Sequence, residues 1–125
     1  KILATVGKNN KIKLWDVLDD ASVRIRDVSN TELYQFQENP QLTISNVTFS
    51  PKGEKLAIMT GDNIVSLWDI SGKKLGELPQ QKNTINAVSF SDDGNLLAVK
   101  GENDAINLWI IKDNNFHKLI PENIK

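Results

Sequence analysis

Side chains able to do chemistry are few in this chain, and they are scattered. His117 is the only histidine, and one imidazole cannot build a histidine-rich metal site. As a catalytic base it would need a nucleophile within hydrogen-bond reach. No distinctive Ser lies near it in sequence, and its plainer reading is an exposed residue on an edge strand. Acids occur as neighbours, Asp19-Asp20 and Asp92-Asp93. Glycosidase-type acid–base work needs two carboxylates facing one site across several ångströms, which adjacent turn residues do not supply. Both pairs read as turn chemistry. There is no cysteine, which removes disulfides, thiolate nucleophiles and thiolate metal sites. GxxxxGK(S/T), GxGxxG and GxSxG are absent, so neither a phosphate cradle nor a nucleophile elbow is encoded. Asp62-Asn63 lacks the spaced ligands of a calcium loop. Trp15, Trp68 and Trp109 could stack on bases or sugars, but their regular placement argues for structural anchoring. The sequence assigns no catalytic, metal-binding or cofactor-binding residue, and no cofactor is expected.

What composition permits is equally bland. Fifteen Lys and Arg face sixteen Asp and Glu, for a net charge of -1 in 125 residues. That balance argues against a dedicated nucleic-acid surface. No stretch approaches the roughly 18 apolar residues of a membrane helix. The opening KILATVG reads as a strand rather than a signal segment. With no starting Met, the chain is expected to be a fragment of a longer protein. The lack of cysteine fits a cytoplasmic location.

The elements that position these residues repeat. KIKLWD (Lys11 to Asp16), IVSLWD (Ile64 to Asp69) and AINLWI (Ala105 to Ile110) align, and SVRIRD (Ser22 to Asp27) matches with Arg26 in the Trp slot. Trp68 and Trp109 are 41 positions apart, and Arg26 and Trp68 are 42 apart. Phe49 and Phe90 each precede their Trp by 19 positions, Gly53 and Gly94 by 15, and Ala4, Ala57 and Ala98 by 11. A fixed period of this size marks a stacked array. Each unit reads as four short strands: Ile44 to Ser50, Glu54 to Thr60, Ile64 to Ile70 and Lys73 to Leu78, then Ile85 to Ser91, Asn95 to Lys100, Ala105 to Ile111 and Phe116 to Ile120. Gly53 and Gly94 supply the positive φ of the first turns. No sustained helical period is present, so the chain reads as all-β. In the third strand Ile12 and Leu14, Val23 and Ile25, Val65 and Leu67, and Ile106 and Leu108 form one apolar face. The tryptophans take the other. Strands apolar on both faces must be covered on both, as sheets stacked around an axis are.

The period, the strand-ending Leu-Trp-Asp and the Phe-Ser-Pro-Lys-Gly turn resemble the WD40 repeat family over nearly the whole chain. The resemblance implies a β-propeller segment of about three antiparallel four-stranded blades, in an open ring or part of an assembled one. Approximate units are 1–37 (irregular), 44–78 and 85–120. It implies structural repeat residues Trp15, Trp68, Trp109, Asp20, Asp62, Phe49, Phe90, Gly53 and Gly94. Three departures stand out. Pro40 and Gln81 occupy the places of the family's Gly-His. The family's turn Asp, six before the Trp, is present as Asp62 and Asp20 but is Asn9 and Asn103 elsewhere. Thr60 or Asp62 is then the acceptor to expect for the Trp68 indole, with none named for Trp109. Trp15 and Arg26 are only 11 apart. Either a deletion has fused two third strands, or Ala21 to Asp27 serves as a fourth strand after a hairpin at Leu18-Asp19-Asp20; the hairpin needs no missing part and is preferred. Arg26 is either exposed at an edge, the preferred reading, or buried beside Asp20 or Asp27.

Three sheets cannot close an ordinary ring, and the terminal ones expose apolar faces. The function implied is that of a protein-interaction scaffold within a larger multidomain signalling or assembly protein. Its partners are other proteins, with possible self-assembly to complete a ring, and no nucleic acid or membrane. The loops Glu38 to Thr43 and Pro79 to Thr84 are the candidate contact loops. The alternative is a propeller enzyme or small-ligand binder with its site in a central channel.

Overall fold

The structure is a computed structural model that describes residues 1–7, 11–79, 81, 84–102 and 105–119. It holds β1 (Ile2–Val6), β2 (Ile12–Val17), β3 (Val23–Ile25), α1 (Glu32–Gln37), β4 (Ile44–Phe49), β5 (Lys55–Thr60), β6 (Val65–Asp69), β7 (Lys74–Glu77), β8 (Ile85–Phe90), β9 (Leu96–Gly101), β10 (Ile106–Lys112) and β11 (Asn115–Leu119). These form three sheets, each with its strands in sequence order: β1 to β3, β4 to β7, and β8 to β11. Every pairing is antiparallel.

Turn chemistry sets the hairpins. Gly53 and Gly94 have φ of +72° and +74°, a region closed to most side chains. Beside them, the hydroxyls of Ser50 and Ser91 accept from Lys55 N and Leu96 N, each at 3.0 Å. Asp113 and Asn114, both at positive φ, make the two-residue connection of β10 to β11 that a right-twisted hairpin favours.

Two cross-strand pairs recur in every sheet. Leu sits opposite Trp as Leu3–Trp15, Leu56–Trp68 and Leu97–Trp109. On the other face Ala sits opposite Leu as Ala4–Leu14, Ala57–Leu67 and Ala98–Leu108. The sheets stack so that the Ala–Leu face of one meets the Leu–Trp face of the next. The first junction buries Ile12 and Leu14 against Leu56, Ile58 and Trp68. The second buries Ala57, Met59, Val65 and Leu67 against Leu97, Val99, Trp109 and Ile111. The small Ala beside each large Leu leaves room for the incoming indole.

The first sheet departs from the four-stranded expectation. It has three strands, and β3 pairs with β2 after a turn at Leu18 to Ser22. The segment is therefore a hairpin partner of the Trp15 strand. In that register Ile25, not Arg26, lies opposite Trp15, which puts Val23 and Ile25 on the Trp face rather than with Ile12 and Leu14. The described residues also include a helix, α1, that the periodicity does not announce. Thr31 caps α1 by accepting from Tyr34 N, and the Leu33 side chain is fully buried in the first junction. At six residues it is too short to show a period and stands by tertiary packing.

Candidate functional site

The three indoles are held differently. Trp68 is 1% exposed, and its Nε1 donates to Ser66 Oγ at 2.8 Å. Neither Thr60 nor Asp62 serves it: those two bond one another across the β5–β6 turn. A residue two positions away on a strand shares a face, which brings Ser66 beside the indole. Trp109 is buried and its Nε1 has no partner. Trp15 is half-buried on the outer face of the first sheet, and its Nε1 donates to Thr5 Oγ1 at 3.0 Å.

Arg26 is half-buried, against the expectation of exposure. Its Nη2 donates to Asp16 Oδ1 at 2.8 Å and its Nη1 to Ile70 O at 3.4 Å, while Nε lacks a partner. Asp16, rather than Asp20 or Asp27, is the counter-ion because it sits on β2 opposite Arg24. The guanidinium, hydrogen-bonded to the carboxylate, holds Asp16 below its ordinary value of 3.8. Arg26 thus ties the first sheet to the second.

Asp20 does not take the place of Asp62. It lies in the β2–β3 turn, where Ser22 donates to it from both N and Oγ, whereas Asp62 lies between β5 and β6. Asp27, Asp69 and Asp93 accept from serine hydroxyls and nearby backbone N–H groups in the same manner. The Ser hydroxyl and backbone bonds lower Asp20, Asp27 and Asp93. At Asp69, burial pushes upward, but the bonds from Ser71 and Lys73 outweigh it. These carboxylates act as turn-formers. Among the described residues no group of three or more His, Asp or Glu is placed to hold a metal ion. His117 lies exposed on β11, an edge strand. Phe49 and Phe90 end β4 and β8, opposite Leu56 and Leu97. Asn9, Asn103, Ile120 and half of the Pro79 to Thr84 loop lie outside the described residues.

The loop Glu38 to Thr43 does shape a feature. With Lys11 and Gln37 it walls an open groove of about 520 Å³ at the first junction, lined further by Asn39, Pro40 and Leu42. Lys11 Nζ donates to Glu38 Oε1 across its rim at 2.5 Å, and that bond to the carboxylate raises the Lys11 pKa. Gln37, 7% exposed, accepts from Ile12 N at 2.8 Å and so caps the start of β2. The groove is open to solvent and lined mainly by polar side chains, so it is not an enclosed small-molecule cavity.

The larger exposed apolar areas are elsewhere, on the two outer faces of the stack. Leu3, Val23 and Ile25 are 47%, 54% and 55% exposed around Trp15, and Ile106 is 63% exposed beside Leu108 and Leu119.

Comparison with known families settles the lineage. A family model described as "Anaphase-promoting complex subunit 4 WD40 domain" matches residues 17–80, and one described as "WD domain, G-beta repeat" matches residues 72–109. The chain belongs to the WD40 repeat family. Two solved WD40 structures show the same fold. The β-propeller domain of Cps50 (Swd1) from Myceliophteria thermophila superposes with a TM-score of 0.63 at 13% identity, over 94% of this chain and 40% of that one. The C-terminal WD40 domain of Sif2 superposes with a TM-score of 0.62 at 18% identity, over 94% of this chain and 33% of that one. This WD40 chain thus spans well under half the length of each. No curated protein matches it.

Sequence reasoning missed α1, Gln37 and Ser66. The signal for Ser66 was present, since a hydroxyl two positions before a strand Trp shares its face. The sequence signal for Gln37 was weaker: a lone amide in a loop gives no sign of the backbone N–H it will meet.

Proposed function

We propose that this WD40 chain is a protein–protein interaction scaffold, a segment of a larger cytoplasmic signalling or assembly protein. One observation carries the reading. Among the described residues Asp16, Asp20, Asp27, Asp69 and Asp93 are engaged in turns and an ion pair, while the stacked sheets present a loop-walled groove on their rim. A fixed scaffold with loops on its rim suits recognition of other proteins. The matched model's own description, a subunit of a multiprotein complex, supports an assembly role. In this reading 1–37, 44–78 and 85–120 are the repeat units. Trp15, Trp68, Trp109, Phe49, Phe90, Gly53, Gly94 and Asp62 serve as structural repeat residues, and the groove of Lys11, Glu38 and Pro40 contacts a partner.

The test is affinity capture by the immobilised chain, with the bound proteins identified by mass. The chain carrying both Lys11→Glu and Pro40→Asp is compared in parallel. Selective loss of a captured protein from the double variant is expected. Identical capture by both would overturn the groove as contact site, and a chain that turns over a small substrate would overturn the scaffold reading.

A further inference from the structure

The β4–β5 and β8–β9 turns are built alike but differ at one hydroxyl. Gly53 N donates to Ser50 O and Gly94 N to Ser91 O, both at 2.9 Å. Each Ser Oγ accepts from the backbone N–H of the following strand, at 3.0 Å. In the third sheet the Ser91 hydroxyl also donates, to Asp93 Oδ1 at 2.6 Å. The matching position in the second sheet is Lys52, whose side chain can only donate. Ser50 is 6% exposed, and among the described residues its hydroxyl donates to nothing. That hydroxyl borders an open cavity of about 250 Å³ between the two turns, walled also by Lys52, Glu54, Lys55, Asp93 and Asn95. The turns abut there: a Cβ on Gly94 would lie 3.9 Å from Ser50 Cβ. Each turn has both of its flanking strands in place.

We propose that this cavity binds the carboxylate of another molecule, which takes at Ser50 the place that the Asp93 side chain takes at Ser91. A buried donor without an acceptor is costly, and an incoming acceptor recovers that cost. The third sheet shows which acceptor the turn fits, since a carboxylate already fills the role there. Lys52 and Lys55 add charge: among the described residues neither is held in an ion pair, so both ammonium groups can strengthen the contact. Asp93 lines the cavity as well, but its carboxylate is engaged by Ser91 Oγ and Asn95 N. Two lysines set against Glu54 and Asp93 leave the walls without net charge. That balance favours a singly charged carboxylate over a phosphate dianion, which the two acids would repel twice as strongly. The cavity lies apart from the Lys11–Pro40 groove. It adds a second contact to the scaffold reading, and a partner protein as the source of the carboxylate rests on that reading.

Amide NMR shifts of the isotopically labelled chain test this. Sodium acetate, a blocked tetraglutamate peptide and inorganic phosphate are titrated separately, with ionic strength held constant by sodium chloride. Saturable shifts confined to 50–55 and 93–95 are expected with acetate, the peptide or both, and weaker binding of phosphate. Tighter binding of the peptide than of acetate assigns the carboxylate to an acidic protein segment, and the reverse to a small free acid. Ser50→Ala should weaken binding about tenfold, the worth of one hydrogen bond to a charged group. Because that change also removes the acceptor of Lys55 N, Lys52→Asp is the decisive variant. It copies the third-sheet turn, so the introduced carboxylate satisfies Ser50 from within. Binding should be lost while the denaturant midpoint stays at or above that of the wild type. No saturable shift with either carboxylate, tighter binding of phosphate, undiminished binding by Lys52→Asp, or a lowered midpoint in that variant would each overturn the proposal. None of these results touches the scaffold reading, which stands or falls on capture by the groove.

Discussion

The two junctions of the stack bury the same pair of faces but finish their rims differently. Between the second and third sheets, strands meet directly. A Cβ on Gly76 of β7 would lie 2.7 Å from Asn114 O in the β10–β11 turn. Between the first and second sheets, β3 has only three residues, and the outer part of the junction is closed by α1. Phe36 packs edge-on against Trp68 with centroids 5.1 Å apart. Leu33 N donates to Gly72 O at 2.9 Å, and Leu33 fills the core. The repeat therefore dictates the central pairs, while the rim is free to be built from a strand or a helix. That makes the first junction dependent on residues outside the repeat.

Leu33→Ala should have the largest effect. It empties a fully buried site and should cost about 3 kcal/mol, the middle of the range for buried Leu to Ala. Amide exchange gives the sharper readout. β1 and β2 should exchange faster in the variant, with β8 to β11 unchanged. Equal acceleration in all three sheets would mean that the two junctions unfold as one unit, and the distinction drawn here would fail.

Gly72→Ala probes the same dock from the other side. Gly72 has φ of +96°, and a Cβ there would lie 2.5 Å from Thr31 Oγ1. Left-handed strain plus that clash should cost about 2–3 kcal/mol in a denaturant titration. Because the clash is with one side chain, Thr31→Gly in the same molecule should recover part of the loss. Additive penalties would show that the helix does not seat against this turn.

These cases show how much was legible beforehand. Phe49, Gly53 and Ala57, recurring as Phe90, Gly94 and Ala98, declared the sheets, their turns and their order, because burial on both faces imposes the same residue types at each turn of the array. What could not be read comes from contacts between units. Arg26 finds Asp16 only because Ile25 takes the position opposite Trp15. Residues 28–43 carry no repeat signal, yet they supply Leu33 and Gln37. Asp20 shares the offset of Asp62 from the Trp slot but lies in another turn, because the offset was counted to Arg26. The candidate groove was foreseen only as a loop, since its other wall, Lys11, lies 27 positions away from Glu38.

The indoles offer a smaller test of the same contrast. Ser66→Ala would strand the Trp68 N–H in the core and should cost about 1–2 kcal/mol. Asn107 occupies the matching position before Trp109 but gives it no bond, leaving Nε1 unpaired. Asn107→Ser should copy the Ser66 geometry into the third sheet and stabilise it by about 0.5–1 kcal/mol. Both are read as shifts in denaturant midpoint at unchanged slope. No gain in the second variant would show that a hydroxyl at position 107 does not reach the Trp109 indole.

The smallest effect concerns the charge that joins the first sheet to the second. Asp16 has its carboxyl held below 3.8 by the Arg26 hydrogen bond, so the folded state binds its proton less readily than the unfolded chain. Stability from this group is present above the unfolded value and is lost as the pH falls through the lower, folded one. Asp16→Asn removes the charge while keeping the shape. Its melting temperature should lie below that of the wild type near neutral pH, and the gap should close as the pH drops below 3.8. The depressed turn acids Asp20, Asp27, Asp69 and Asp93 titrate alike in both proteins, so they cancel in the difference. A gap that persists in acid would mean that Asp16 acts through its hydrogen-bond geometry alone, and the first junction would then owe nothing to charge.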